Sequence, residues 1–160
     1  MRLQTEFRNA MAKMGSAVSV ITTDGPAGKY GFTASAVCSV TDQPPTLLVC
    51  MNRNSFANPH FKLNGTLCVN VLSGNHRDLS GIFASATLRS EQRFIHDSWQ
   101  VLASGAPVLN SAIANFDCTI HEFHEVGSHT VFYCQVQAVR ISESTCGLIY
   151  FNRRYHDLDG

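Results

Sequence analysis

His129 stands in the run Gly127-Ser128-His129, where a glycine and a small residue leave space beside an imidazole able to donate, accept or carry charge near neutral pH. Tyr150 offers a phenol that can flank a flat ring. Arg153 and Arg154 follow it, and two adjacent guanidinium groups either form a solvated rim or grip a phosphate bidentately. Spacing alone leaves all four open between a structural role and a binding one. A longer stretch, residues 31–54, carries a different pattern. It opens with the small-residue run Gly31-Phe32-Thr33-Ala34-Ser35-Ala36, bends through the hydroxyl-rich residues 39–41, and turns at Pro44-Pro45. It then continues into an apolar strand and leaves through Asn52-Arg53-Asn54-Ser55. Small side chains let a large flat ligand lie against the backbone, and hydroxyls and amides at both ends can hold polar or phosphate groups.

Other chemistries find little support. Of the seven histidines, His121 and His124 are three apart, which on a strand puts them on opposite faces; the rest lie in separate segments. No metal site is expected. No GxSxG elbow marks a serine nucleophile, and no GxGxxG marks a dinucleotide-binding βαβ unit. The six cysteines include no CxxC pair, and most lie in apolar runs such as TLLVC and TLCVNVL, so they read as buried, reduced, small hydrophobes.

The elements that must carry these residues can be taken from periodicity. With 160 residues and 44% hydrophobic content, one domain spanning residues 1–160 is expected. Lys+Arg equals Asp+Glu at 12 each, so no basic surplus points to nucleic acid or an anionic membrane. No stretch is long and apolar enough to span a bilayer, and the N-terminal run MRLQTEFRNAMAKMG has charges spread through it rather than a signal-peptide pattern. A cytoplasmic location is the expectation. Leu3, Phe7, Met11 and Met14 recur at helical spacing and predict a helix over 2–14 ended by Gly15. Residues 17–23 and a strand from Tyr30 read as a hairpin about the turn 24–28. Residues 46–51 read as a strand buried on both faces, and 55–63 as a short helix with Ser55 as its N-cap. Strands are expected over 66–72, 112–123, 130–141 and 147–151, a helix over 76–84 with Leu79, Ile82 and Phe83 on its apolar face, and short extended pieces around Pro107. Residues 85–98 and 152–156 read as irregular and polar. About seven strands with short helices between them suggest a closed antiparallel barrel or sandwich.

The run ITTDGPAGKYGFTASAVCSVTDQPPTLLVCMNRNS resembles the signature of the short-chain flavin reductase family, the reductase components of two-component flavin-dependent monooxygenases. TLCVNVLS at 66–73, the IFA and RF elements at 82–94, GSH at 127–129 and GLIYFNRRYH at 147–156 agree in order and spacing. GFTASAVCSVTD and NFDC look closer to the pyrimidine-pathway FMN reductase, and GLIYFNRRYH to the reductase of 4-hydroxyphenylacetate 3-monooxygenase. The resemblance implies a mainly β fold, an FMN-binding split barrel of Greek-key antiparallel strands, assembled as a homodimer. It implies reduction of FMN or FAD by NADH or NADPH, with reduced flavin released by diffusion to a separate monooxygenase. Carried onto this chain, it puts Thr33, Ala34, Ser35 and Ala36 along the isoalloxazine, with Ser39 and Val40 continuing the wall. Cys50, Asn52 and Ser55 approach the ribityl and phosphate, and Phe83 comes near the flavin from the helical segment. His129 and Tyr150 flank the nicotinamide, and Arg153 or Arg154 lies near phosphates.

Hydride transfer from nicotinamide to flavin needs no protein acid, base or nucleophile to break a bond; the protein orients the rings and sets the electrostatics. No obligatory catalytic residue is therefore expected. Two other readings use the same motif: a flavin carrier or sensor without turnover, and a split barrel holding haem or pyridoxal phosphate.

Overall fold

The computed structural model describes residues 1–160. Its elements in chain order are α1 (Arg2–Met11), β1 (Ser16–Ala17), β2 (Ser19–Thr23), β3 (Tyr30–Ala34), β4 (Val37–Asp42), β5 (Pro45–Asn52), α2 (Asn58–Asn64) and β6 (Thr66–Val71). A 3-10 turn (Gly74–His76) leads into α3 (Arg77–Ala84), followed by α4 (Ser90–Phe94), β7 (Trp99–Val101), β8 (Pro107–Leu109), β9 (Ala114–Val126), β10 (His129–Ile141), β11 (Gly147–Phe151) and β12 (Arg154–Leu158).

Seven strands form the main antiparallel sheet in the order β3-β2-β6-β9-β10-β5-β4. Its edges are β3 and β4, yet these strands are consecutive in the chain and separated only by Ser35 and Ala36. So short a link spans only about 3.5 Å per residue. The sheet must therefore be curled until its two edges meet. We call that meeting line the seam.

The curl explains the two main apolar clusters. Ile21, Val49, Met51, Phe61, Leu67, Val69 and Phe132 fill the inside of the sheet. Val18, Val20, Leu72, Leu79, Phe83 and Leu148 pack between its outer surface and α3. β2 lies between the two clusters and is buried at every position, which accounts for its β-branched sequence SVITT. The expectation of a strand buried on both faces had fallen on 46–51 and is corrected. In β5 Leu47, Val49 and Met51 are buried and alternate with half-exposed Thr46, Leu48 and Cys50, because only one face meets the core.

The two longest alternating segments pair as β9 and β10 across the tight turn Gly127-Ser128, where Gly127 has φ 55. The N-cap expectation at Ser55 is also corrected. α2 begins at Asn58 after Ala57, with the proline in its first turn, and the Ser55 carbonyl instead accepts the Asn58 N–H at 3.0 Å. Residues 39–41 are not a simple bend but part of β4, with a register shift between Ser39 and Thr41 that leaves Val40 unpaired. The tail at 152–156 forms a further strand. Asn152 (φ 49) and Arg153 (φ 62) turn the chain so that β12 pairs with β11, and β11 also pairs with β1. Left-handed turn residues other than glycine give a weak sequence signal, so this hairpin was not legible.

Three cysteines, Cys68, Cys118 and Cys134, are buried, and burial pushes each thiol well above its ordinary pKa. Cys38 is exposed, and Cys50 and Cys146 are half-buried; all six are free. No group of three or more His, Cys, Asp or Glu side chains could hold a metal ion. No helix is long and apolar enough to cross a membrane.

A seam of small residues beside a basic cleft

At the seam the chain leaves β3 at Ala34 and enters β4 at Val37. Ser35 and Ala36 are exposed and belong to no ladder. Their carbonyls accept the N–H groups of Val37 and Cys50, each at 3.0 Å, which fixes the crossing. Their own N–H groups make no intramolecular hydrogen bond and face solvent. Two free backbone donors beside side chains of one or two heavy atoms fit the polar edge of a flat heterocycle. Thr33 anchors this segment from behind, its hydroxyl donating to the Ser80 carbonyl of α3 at 2.6 Å.

Cys50 and Asn52 lie next along the same line. Cys50 is opposite Val131, and Asn52 is opposite His129, so both directly paired residues share the outer face of the sheet. Burial raises the Cys50 thiol, which makes it a poor nucleophile and a suitable small spacer. The Asn52 amide oxygen is spent locally, accepting the Asn54 N–H at 2.8 Å. The resulting turn docks on the β9–β10 turn. The Arg53 N–H donates to the Ser128 carbonyl at 2.9 Å, and its guanidinium donates to Gly127 O at 3.1 Å and pairs with Glu125 at 2.9 Å. Lys62 also meets Glu125; hydrogen bonding from Lys62, then Thr130, with the nearby charge of Lys62 and Arg53, holds that carboxyl below its usual range. This clamp sets the exposed His129 ring, whose Nδ1 lies 2.8 Å from Ser128 Oγ, beside Asn52.

The other expected positions separate. Ser39 and Val40 are exposed on β4, along the seam but beyond the crossing. Tyr150 lies in the smaller three-stranded sheet and packs on Tyr155 at 5.4 Å. Tyr155 in turn hydrogen-bonds the Ser80 hydroxyl, and the Ser80 carbonyl accepts from Thr33, so Tyr155 and Ser80 stand between Tyr150 and Thr33. Arg153 turns away from the seam and donates to Asn9 of α1 at 2.9 Å. Arg154 is exposed and its guanidinium has no partner. Phe83, expected near the flavin, is 1% exposed; its ring is enclosed by Phe94, Trp99 and the backbone of Gly31, and it does not line the cleft. Gly31 is small for the same reason. A Cβ there would come within 2.7 Å of the Phe83 ring, so the glycine serves helix packing and not ligand approach.

A cleft of about 990 Å³ adjoins the seam, between residues 28–32, 55–57 and 85–95. Of the expected residues only Ser55 lines it. Lys29, Arg89 and Arg93 face Glu91 alone among acidic groups, so the lining is net positive in a chain of zero net charge. Arg93 holds the cleft wall together. Its guanidinium donates to the carbonyls of Gly31 (2.8 Å), Phe83 (3.1 Å), Ser85 (2.7 Å) and Leu88 (3.2 Å). It thereby caps the end of α3 and ties 85–88 to β3. Burial lowers its pKa, and no carboxylate compensates it. Ser90 adds a hydrogen bond to the Lys29 carbonyl. Sequence reading did not single out Lys29, Arg89 and Arg93, which line the cleft. The RF element at 93–94 was the available signal, but an arginine that binds only carbonyls leaves no charge pattern to read.

An FMN reductase (NADH), RutF, of Serratia proteamaculans (strain 568) is 54% identical over 153 residues, covering 96% of this chain and 87% of that protein. The crystal structure of YcdH from Haemophilus somnus 129PT is 48% identical with a TM-score of 0.93, covering 96% of this chain and 98% of that one. The styrene monooxygenase flavin reductase SMOB of Pseudomonas putida S12 is 25% identical with a TM-score of 0.85, covering 96% of this chain and 97% of that one. Residues 11–159 match the flavin reductase like domain, and the chain belongs to that family.

Proposed function

We propose that this protein is an NADH-dependent FMN reductase that releases reduced FMN to a separate oxygenase. The observation that carries this is the seam: two exposed, small residues with free backbone donors, bounded on one side by His129 and on the other by a net-positive cleft. FMN over FAD, and NADH over NADPH, are choices the sequence left open and are taken from the relatives named above. A flavin reductase belonging to a styrene monooxygenase supports a partner oxygenase of the same general kind.

When bound, the nicotinamide supplies hydride and the flavin accepts it. The chain's own groups orient. Ser35 and Ala36 offer N–H donors to the flavin's polar edge, and their small side chains keep one ring face uncovered. Lys29 and Arg89 attract phosphate. His129, held by Ser128 and the Arg53 clamp, stands where it can position the second ring. NADH oxidation that runs steadily only when free FMN is added is the deciding experiment. Flavin binding without such turnover would replace this reading by that of a carrier.

His129→Ala is expected to raise the KM for NADH roughly five- to tenfold, the loss of one hydrogen bond, with a smaller change in the KM for FMN. An unchanged NADH KM in steady-state assays would make His129 an ordinary turn residue.

The same reading takes the protein as a split-barrel homodimer. α1 supports it, having no buried residue, with Leu3, Phe7 and Met11 exposed at 77%, 63% and 45%, and Met14 just beyond it at 61%. It is attached only near its end, through Asn152 N–H to Ala12 O, Lys13 to Asn152 and Arg153 to Asn9. An apolar stripe of this kind needs a cover, and a second copy supplies a symmetric one. Phe7→Glu is expected to shift the protein toward monomer in sedimentation velocity at micromolar concentration. A dimer that persists unchanged would remove α1 from the interface.

A further inference from the structure

His76 is a buried histidine that the seam does not use. It is 6% exposed and ends the 3-10 turn that leads into α3. Its Nδ1 lies 2.9 Å from the Ser73 N–H, and a backbone N–H can only donate. Nδ1 is therefore an acceptor, and the neutral ring carries its proton on Nε2. Nε2 donates to Ser111 Oγ at 2.8 Å, and the Ser111 hydroxyl donates to Asp97 Oδ2 at 2.8 Å. Every bond in this series runs one way, from the Ser73 backbone to the Asp97 carboxylate. The first of them is the back-bond of a capping box, in which the third residue of a helix accepts the N–H of its N-cap. Glutamate or glutamine usually makes that bond, and at the head of α4 Gln92 makes it for the Arg89 N–H at 2.9 Å. Ahead of α3 the same bond rests on a group that titrates near neutrality.

A proton on Nδ1 sets N–H against N–H, and the back-bond is lost. Ser73 Oγ, 3.2 Å from Nδ1, can accept from the protonated ring, but the Ser73 N–H is then left buried without an acceptor. The charged groups around the turn are Asp97, 3.7 Å from Nε2, Arg77 and Asp78 at the start of α3, and Asp157 of β12, which pairs with Arg77 at 2.9 Å; the Cys146 thiol faces Gly74. Burial lowers the His76 pKa, and Asp97 opposes it only in part. α3 carries the state of its cap to the seam, because its Ser80 carbonyl holds Thr33 and its Phe83 packs on Gly31.

We propose that His76 is a proton-operated cap on α3: neutral, it locks the 3-10 turn to Ser111 and Asp97; protonated, it releases the turn and slackens the anchor behind the seam. The consequence for flavin rests on the reductase reading; the cap itself does not. Thermal unfolding of the full chain is followed from about pH 8 to about pH 5, in the native form and as His76→Gln, which keeps the back-bond and cannot titrate. A group whose folded pKa lies below its unfolded one contributes fully above the unfolded value, about 6.5 for histidine, and the contribution is lost as pH falls through the folded one. The native Tm is therefore expected to fall by about 2–4 °C more than that of His76→Gln over this range, the loss of one cap at this chain length. Ring-nitrogen NMR of the native protein at the alkaline end is expected to put the His76 proton on Nε2. In the reductase assay, the KM for FMN should rise more steeply on acidification in native protein than in His76→Gln. Parallel Tm curves, or a neutral native ring with its proton on Nδ1, overturn the cap. FMN KM values that rise alike in both forms overturn its link to the seam. Diverging Tm curves in a protein that oxidises no NADH keep the cap and discard the reductase reading.

Discussion

Ser35→Trp is expected to abolish flavin reduction, lowering kcat/KM by roughly 10²-fold or more, the cost of displacing a reacting ring by about an ångström. Ser35 is exposed, lies outside both flanking strands, and contributes only its backbone carbonyl to the fold. An indole there projects into solvent without opening a core cavity, so far-UV circular dichroism and Tm should stay near those of the native protein. What it fills is the space over the free N–H groups of Ser35 and Ala36. Ser35→Ala is the control; it keeps the backbone donors and the small volume and should retain activity within a few-fold, since only one neutral hydroxyl is lost. Normal flavin reduction by Ser35→Trp would mean that the seam is not the flavin wall.

Arg93→Met is the second large effect, and it should appear in stability as well as activity. The guanidinium makes four hydrogen bonds to carbonyls from three segments, Gly31 on β3, Phe83 at the end of α3, and Ser85 and Leu88 in the cleft wall. Bonds from a charged donor contribute about 1.5–3 kcal/mol each before solvent replaces them at exposed carbonyls. A net loss of about 3 kcal/mol is expected, because the wall residues are only partly buried. At this chain length that corresponds to a Tm lower by roughly 6–12 °C. The flavin KM should rise as well, since residues 85–88 lose their tie to β3. Arg93→Lys keeps the charge but lacks the planar fork, so it should recover less than half of the lost stability. A Tm that does not move in Arg93→Met would show that the wall is held by the Ser90 and Phe94 contacts alone.

Sequence pattern made much of this molecule legible, and the reasons are specific. β2, β6, β9 and β10 follow the alternation or continuous apolarity that a curled sheet demands, and their limits fall within a few residues of expectation. The small-residue run at 33–36 could be read because nothing in core packing explains exposed Ser35 and Ala36. The packing of Phe83 was not legible, because a phenylalanine on an amphipathic helix looks alike whether it faces solvent or Gly31; the 2.7 Å clearance at Gly31 shows the second. Tyr150 and Arg153 were grouped with His129 by their order in a motif, whereas the β11–β12 hairpin carries them to α1 and the smaller sheet. Arg93 escaped because its partners are backbone carbonyls, which have no sequence.

The seam also has a consequence for how the molecule comes into being. β2–β3 and β4–β5 are hairpins that close short loops, so both sides of the seam are local and entropically cheap to make. The two-residue link already holds their edge strands together, but closing the sheet requires β6 and the β9–β10 hairpin to be laid between β2 and β5, and the joins β2–β6, β6–β9 and β10–β5 are long-range. A nascent chain that has not yet reached residue 129 therefore contains every small residue of the seam but not the closed sheet that sets the seam beside His129. The site is written early in the chain and exists only when the last strand of the main sheet is in place.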